Sequence, residues 1–349
     1  MKISIGTKIK DGPWGGGNLF ALNLSKFLKK EGFDVVFDLS HNDIDLILIT
    51  EPRKTSESSS FTHWDVENYI KYVNNDTLVC HRINECDERK GTNFVNKYLI
   101  EANKVSDTTI FVSSWIKNLY VEQNISSKHN YVILAGADKD IFNPSARAKW
   151  NEEMKLRIVT HHWGANWNKG FDIYKKIDEM LNEDFWNKKI DFTYIGNLPK
   201  KFEFKNSIHL PPMSGAELAR EIKKNHIYIT GSLNEPSGNH HIEGAQCGLP
   251  IMYIDSGGVK EYTKGFGVEF NFKNLEERIN YLTENYEFYF KKITDYPFES
   301  SLMCSEYAKL FKDMMKNKTQ LINEREIVKV NKLFKKTYLF KRNFKYIKK

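Results

Sequence analysis

Glu235 and Glu243 are the residues from which chemistry can be read first. Between them runs Pro-Ser-Gly-Asn-His-His-Ile at 236–242, and before them lies an apolar, β-branched stretch at 226–230. The pattern reads as a strand, a turn cluster, a short helix over 240–247 stopped by Gly248 and Pro250, and a second strand over 251–254. In a parallel α/β sheet the loop after such a strand lies at the carboxyl edge, where ligands bind, and the next helix aims its free N–H groups there. Glu235 then sits on the loop, Ser237, Gly238, Asn239 and His240 at the helix start, and Glu243 within the helix. Two carboxylates beside a helix N-terminus suit a ligand with hydroxyls for the acids and phosphates for the amides. A nucleotide-sugar is such a ligand. The plainer alternative makes Glu243 a solvated helix residue.

Other residues fit the same edge. Lys169 precedes Gly170 at the start of a helix that follows the strand 156–161, a position suited to neutralising a diphosphate as a point charge; a solvated lysine at a helix start looks the same. His81 ends a strand over 77–81, which predicts that its ring enters the cleft and handles a proton or hydroxyl; a core or capping histidine fits the spacing as well. Arg82 could meet a phosphate or pair with Glu85. Gly15, Gly16 and Gly17 close a glycine-rich loop over 12–17 between a strand at 2–6 and a helix at 18–30, where backbone can approach a diphosphate without side chains in the way. The loop is not G-x-G-x-x-G, so no dinucleotide site is read from it, and three glycines also suit a mobile lid. Ser256-Gly257-Gly258 is a second glycine turn at the same edge, able to hold phosphate or sugar hydroxyls.

The spacing Glu235, seven residues, Glu243, followed by Ala-Gln-Cys-Gly-Leu-Pro at 245–250, resembles the E-x7-E signature of retaining glycosyltransferases of the GT-B fold, family 4 type. Gly-Pro-Trp-Gly-Gly-Gly-Asn at 12–18 extends the resemblance, as do Ser106–Trp115, Ile133–Asp138 and Ile-Phe-Asn-Pro at 141–144, with Ala135 where that family commonly has Asn. The resemblance implies that Glu235 contacts the hydroxyls of the donor sugar, Glu243 the ribose of the nucleotide, and that His81 lies near the reacting sugar and acceptor. It implies a role in catalysis for His81, Glu235 and Lys169. The glycine loop Gly15–Gly17, with Ser237–His240, would complete the donor site. One departure stands out: the arginine that family usually carries five residues before the lysine is here Gly164. Arg82, His162 or Asn166 would have to take its part, or activity would be low.

Behind these residues, strands and helices alternate from residue 2 to residue 289, an α/β pattern long enough for two domains. The expected architecture is GT-B: two Rossmann-like domains facing a central cleft, plus a basic C-terminal tail. An acceptor-side domain spans 1–150, a nucleotide-sugar domain 151–301, a helix at 302–316 returns to the first domain, and a basic aromatic tail covers 317–349. A serine-rich stretch at 53–62 reads as a mobile loop, and Glu261 as a stabiliser of the helix it begins.

Charge and cysteines set further bounds. The net charge of +7 is a property of the tail: residues 316–349 carry twelve Lys and Arg against two acids, and the remaining 315 residues are net −3. A nucleic-acid footprint would place that charge on the folded body. Four cysteines without metal-ligand spacing fit a reducing compartment. Neighbouring histidines, 161–162 and 240–241, point to different faces, so neither pair makes a metal site, and no metal or other cofactor is expected. No signal peptide or membrane span is read in the sequence, so the expected location is cytoplasmic. Basic residues among aromatics in the tail suit an anionic membrane face, each adding on the order of 1 kcal/mol; a surface-packed or disordered extension fits equally.

Three functions follow. The first is a retaining hexosyltransferase that moves sugar from a nucleotide-sugar to a glycan or lipid-linked acceptor, as in surface polysaccharide biosynthesis. The second is a glycosyltransferase acting on modified DNA, which the −3 body disfavours. The third is a non-catalytic sugar or nucleotide binder, suggested by Gly164.

Overall fold

Short apolar runs set the architecture. The computed structural model describes residues 1–10, 15–125, 129–325, 337–339 and 342. In the first half, strands β1 (Lys2–Ile5), β2 (Asp34–Val36), β3 (Leu46–Ile49), β4 (Leu78–Ile83), β5 (Thr108–Phe111) and β6 (Asn130–Val132) form a parallel sheet in the order β2-β1-β3-β4-β5-β6. In the second, β7 (Leu156–His162), β8 (Ile190–Gly196), β9 (Ile208–Leu210), β10 (Ile227–Thr230), β11 (Ile251–Tyr253) and β12 (Gly267–Glu269) are also parallel, in the order β12-β11-β10-β7-β8-β9. Each sheet is covered by helices on both faces, so its central strands are largely buried, and β3 is apolar throughout, with Leu46–Ile49 fully buried. Edge strands β6 and β12 have no such run, which is why the sequence does not announce them. The direction of winding reverses between β1 and β3 and again between β7 and β10, and a crevice opens at the carboxyl end of each reversal.

The two halves are tied by specific contacts. A Cβ on Gly136 would come within 2.3 Å of the Glu299 backbone; glycine allows the chain at 298–300 to pair with Ala137, with Ala137 N–H donating to Phe298 O at 3.1 Å and Ser300 N–H to Ala137 O at 2.7 Å. The helix Ser300–Lys316 then packs along the helix Gly16–Lys30, with the Phe20 and Tyr307 rings 5.2 Å apart. Glu261 lies in the first turn of its own helix, Val259–Thr263, and also reaches out of it. Its carboxylate accepts the N–H groups of Ser114 and Trp115 at 2.8 and 2.9 Å and so caps a helix of the other half, where an anion is favourable. Beside it, Tyr262 Oη donates to Val112 O and accepts from Ala135 N–H.

Several expectations need correction. His81 is fully buried and does not reach the cleft: β4 runs on to Ile83, and strand alternation turns the ring into the domain, where Nδ1 meets Asn103 Oδ1 at 2.9 Å. Arg82, on the opposite face, lies 4.0 Å over the Phe20 ring. The stretch 53–62 is held down, with Ser59 and Phe61 buried and Lys8 N–H donating to Ser58 O at 2.8 Å. A further helix begins only at Val95, because Gly91 adopts φ +65° and Asp87 caps the start by accepting from Val95 and Asn96 N–H. A four-residue helix, Asp87–Lys90, is left in front of it. The helix Gly16–Lys30 starts two residues early, since a first turn needs no intrahelical acceptors.

After the helix Lys318–Asn323, Arg325 binds the Asp107 carboxylate and the carbonyls of Asn75 and Thr77. Tyr338 stacks on Tyr72 at 4.6 Å, and Arg342 donates to the carbonyls of Leu39, Ser40 and His41. These loops lead into β3, β4 and β5, so the described part of the tail lies on the amino edge of the first sheet, away from the crevices. Most of the basic aromatic stretch (326–336, 340–341 and 343–349) lies outside the described residues. Among the described residues no helix is long and apolar enough to cross a membrane.

Arg325→Ala leaves the buried Asp107 carboxylate without its cation, and a loss of about 3 kcal/mol in guanidinium unfolding is expected; an unchanged midpoint would show that the tail contact carries no stability. Burial pushes His81 and His226 down to about 4. Both are held neutral when folded and take up protons on unfolding below their ordinary value of about 6.5. Stability should therefore be level above about pH 6.5 and fall as pH drops toward about 4. Urea midpoints across that range, in the wild type and in His81→Gln, check the slope.

Candidate functional site at the domain cleft

Glycines bring the site together. Gly170, at φ +102°, approaches Gly231 so closely that a Cβ on it would lie 2.6 Å from the Gly231 carbonyl carbon. The short turn Trp167–Lys169 is thereby laid against the loop after β10, with Leu233 N–H donating to Asn168 O at 2.8 Å. Lys169 Nζ then reaches Glu235 Oε2 at 2.6 Å. The Ser256-Gly257-Gly258 turn supports Glu235 from behind: Gly258 N–H donates to Glu235 O at 2.8 Å, and Gly257 sits at φ +71° with no room for a side chain. The amide of Gly258, a candidate phosphate donor from the sequence, is spent on this contact.

The other half supplies the residue that sequence reasoning missed. Arg89, on the helix Asp87–Lys90, donates from Nε to Glu235 Oε1 at 3.0 Å and from Nη1 to Glu85 at 3.2 and 3.3 Å. Its segment is pinned across the cleft, with Asn168 Nδ2 donating to Arg89 O at 3.3 Å and Asn234 Nδ2 to Glu88 O at 3.2 Å. Burial alone would raise the Glu235 pKa, but Arg89 and Lys169 outweigh it and hold the carboxyl far below the usual carboxylate range. Burial in turn lowers the Lys169 pKa, against the pull of Glu235. The sequence did carry a signal for Arg89: a charged run, Asp-Glu-Arg-Lys, just beyond the carboxyl end of β4.

Glu243 is not a solvated helix residue. It is buried one turn into the helix Asn239–Gln246, and its Oε2 lies 2.8 Å from His161 Nε2, whose Nδ1 meets Tyr228 Oη at 3.1 Å. His162 turns the other way, with Nε2 2.7 Å from Tyr174 Oη. His240 also turns inward: its Nε2 lies 2.8 Å from Thr230 Oγ1 and its ring 4.4 Å from that of His162, so its side chain does not reach for a phosphate. Only its backbone keeps the place that the sequence suggested. Burial pushes the His241 pKa down to about 3, and among the described residues both its ring nitrogens lack hydrogen-bond partners. Among the described residues no group of three His, Cys, Asp or Glu side chains is placed to hold a metal ion.

The helix start is open to an anion. Gly238, at φ +78°, precedes it, and among the described residues no side chain caps its first N–H groups. Ser237 and Asn239 are half-buried there. Asn239 faces Gly16 across the cleft, its Nδ2 2.9 Å from where a Cβ on Gly16 would be. Gly15 comes near the exposed Trp163, and Gly17 faces open space. Residues 11–14 of the loop lie outside the described residues. Gly164 leaves a space beside the lysine, since its Cβ would stand 3.7 Å from Lys169 Cε. Of the substitutes considered for its missing side chain, Arg82 and His162 are engaged elsewhere.

No family model and no curated protein sequence matches the chain. Solved structures do. A glycosyltransferase from Rickettsia africae ESF-5 is similar with a TM-score of 0.65 at 14% identity, over 90% of this chain and 99% of that one. Anabaena Alr3699/HepE, in complex with UDP and glucose, gives 0.66 at 13%, over 90% and 100%. An α-glucosyltransferase in complex with UDP and a 13-mer DNA containing a HMU base gives 0.59 at 12%, over 89% and 99%. At such identities the likeness is one of architecture, and together with the two sheets and their facing crevices it gives the chain the GT-B fold.

Proposed function

We propose that this chain is a retaining, family 4 type glycosyltransferase that moves a hexose from a nucleotide-sugar, with uridine as the favoured base, to a glycan or lipid-linked acceptor. The observation that carries the reading is Glu235, kept ionised between two cations at the mouth of the β7/β10 crevice, with the His161-oriented Glu243 and an uncapped helix start beside it. Each part matches a part of the ligand. Glu243 accepts the ribose hydroxyls, and its hydrogen bond to His161 fixes the carboxylate in one orientation. The helix start and Lys169 take the diphosphate, and Glu235 accepts from sugar hydroxyls while remaining charged. UDP is favoured because similar folds hold it.

In the reaction the bond from sugar C1 to the phosphate oxygen breaks, and its electron pair leaves with the diphosphate. The acceptor oxygen forms its new bond to C1 on the same face, and its proton passes to the departing phosphate. The protein's share is positioning and stabilising the charge that grows on the leaving group. His81, sealed in the first domain, takes no direct part. The fold shared with a DNA-bound α-glucosyltransferase favours modified DNA as a second reading. The −3 body and the position of Arg325 and Arg342 on the far edge make a carbohydrate acceptor the better fit.

A panel of UDP, GDP, ADP, dTDP and CMP without added metal tests the reading by thermal shift. UDP should raise the melting temperature, because only ligand bound to the folded state does so. Glu243→Ala should weaken it about tenfold or more. Glu235→Gln should retain UDP binding and lower UDP release from UDP-glucose by about 100-fold. No shift with any nucleotide would sink the proposal; binding without turnover would leave a nucleotide binder.

A further inference from the structure

We propose that Arg89 is the second cation on the leaving diphosphate, delivered from the opposite domain in place of a group that the loop at Gly164 does not provide. The inference rests on the reading of the cleft as a nucleotide-sugar site. Lys169 and Arg89 occupy the two oxygens of one carboxylate, Glu235, at 2.6 and 3.0 Å. One anion between two cations leaves positive charge over. Glu85 offsets Arg89 in part, but it also holds Lys90 Nζ at 3.0 Å. Of the three guanidinium nitrogens, Nε and Nη1 are engaged, and Nη2 makes no hydrogen bond among the described residues. The side chain is 20% exposed, and Nη2 is not one of the sealed side-chain atoms that lack a partner, so solvent reaches it. A planar donor fork in this position suits a phosphate oxygen better than a lone ammonium does.

The backbone shows that the placement is built. Asn168, next to Lys169, and Asn234, next to Glu235, each donate to a carbonyl of the Asp87–Lys90 segment, so the residues beside both second-domain partners hold Arg89 in register. Glu261, accepting from the Ser114 and Trp115 amides of the first domain, adds a further tie between the domains. Charge neutralisation therefore depends on the domains being together: the second domain alone brings one cation to the diphosphate, and closure brings the other.

The test compares UDP with uridine, by NMR titration on the full chain, for wild type, Arg89→Gln, Arg89→Lys and the double variant Arg89→Gln/Gly164→Arg. Arg89→Gln should weaken UDP by about 10- to 100-fold and leave uridine within about twofold. Adding Gly164→Arg, whose Cβ meets Lys169 Cε only at ordinary contact distance, should recover at least about tenfold of that loss. If Arg89→Gln does not fold, Arg89→Lys carries the measurement, with UDP weakened about threefold or more relative to uridine. Equal weakening of both ligands, or no weakening of UDP, overturns the proposal, as does failure of Gly164→Arg to recover UDP, which would make Arg89 a structural tie through Glu235. Wild type that binds uridine and UDP equally removes Arg89 alone; wild type that binds neither removes the reading of the site as well.

Discussion

A carboxylate buried between two cations from different domains is the contact on which this molecule's organisation depends. Glu235 is 4% exposed, and a carboxylate so placed is tolerable only when its charge is matched and its oxygens are hydrogen-bonded. Lys169 comes from the loop after β7, Glu235 from the loop after β10, and Arg89 from beyond β4 in the other sheet. The pairing thus fixes the two loops of one crevice against each other and fixes both against the facing domain. It also places the charge that the proposed chemistry needs where the sheets reverse direction.

Close backbone approaches make this geometry available. Gly170 on Gly231, Gly257 on Glu235 and Gly136 on Glu299 each put main chain where any side chain would collide. Two of the three lie in the site itself, so the charged residues are held by rigid backbone and not by flexible stems alone. The linkage between domains repeats the theme with polar groups: Glu261 spends a carboxylate on the amides of a helix it does not belong to, and Tyr262 both donates and accepts across the boundary. These polar contacts lie beside an apolar core that itself runs through both halves, with Ile133, Ala135 and Phe142 in one cluster with Ile242, Leu249 and Tyr262.

Beneath the crevice lies a layer of histidine and tyrosine instead of aliphatic packing. His161 orients Glu243, the His162 and His240 rings meet at 4.4 Å with a 55° tilt and bond to Tyr174 and Thr230, and burial keeps His241 neutral. Protonating this layer would set like charges against each other and against Lys169. The charges above this layer, on Glu235, Lys169 and Arg89, suit a ligand that is polar throughout but anionic only at its diphosphate.

By itself the sequence determined the repeating strand and helix pattern, the two domains' worth of chain, and the stretch 235–243 with its two carboxylates, because parallel strands are apolar runs and helix breakers are Gly and Pro. Glu235, Glu243 and Lys169 were legible because each lies a fixed short distance from a strand end. Tertiary structure decided the rest. Arg89 became a partner of Glu235 only when the domains met, a contact 146 residues apart in the chain. His81 and His240 were drawn inward by the facing that strand and helix geometry imposes, which no spacing from a strand end reveals. The glycines of 256–258 and the carboxylate of Glu261 were legible as chemistry but not as purpose, since which amide or acceptor a group meets depends on what is folded against it.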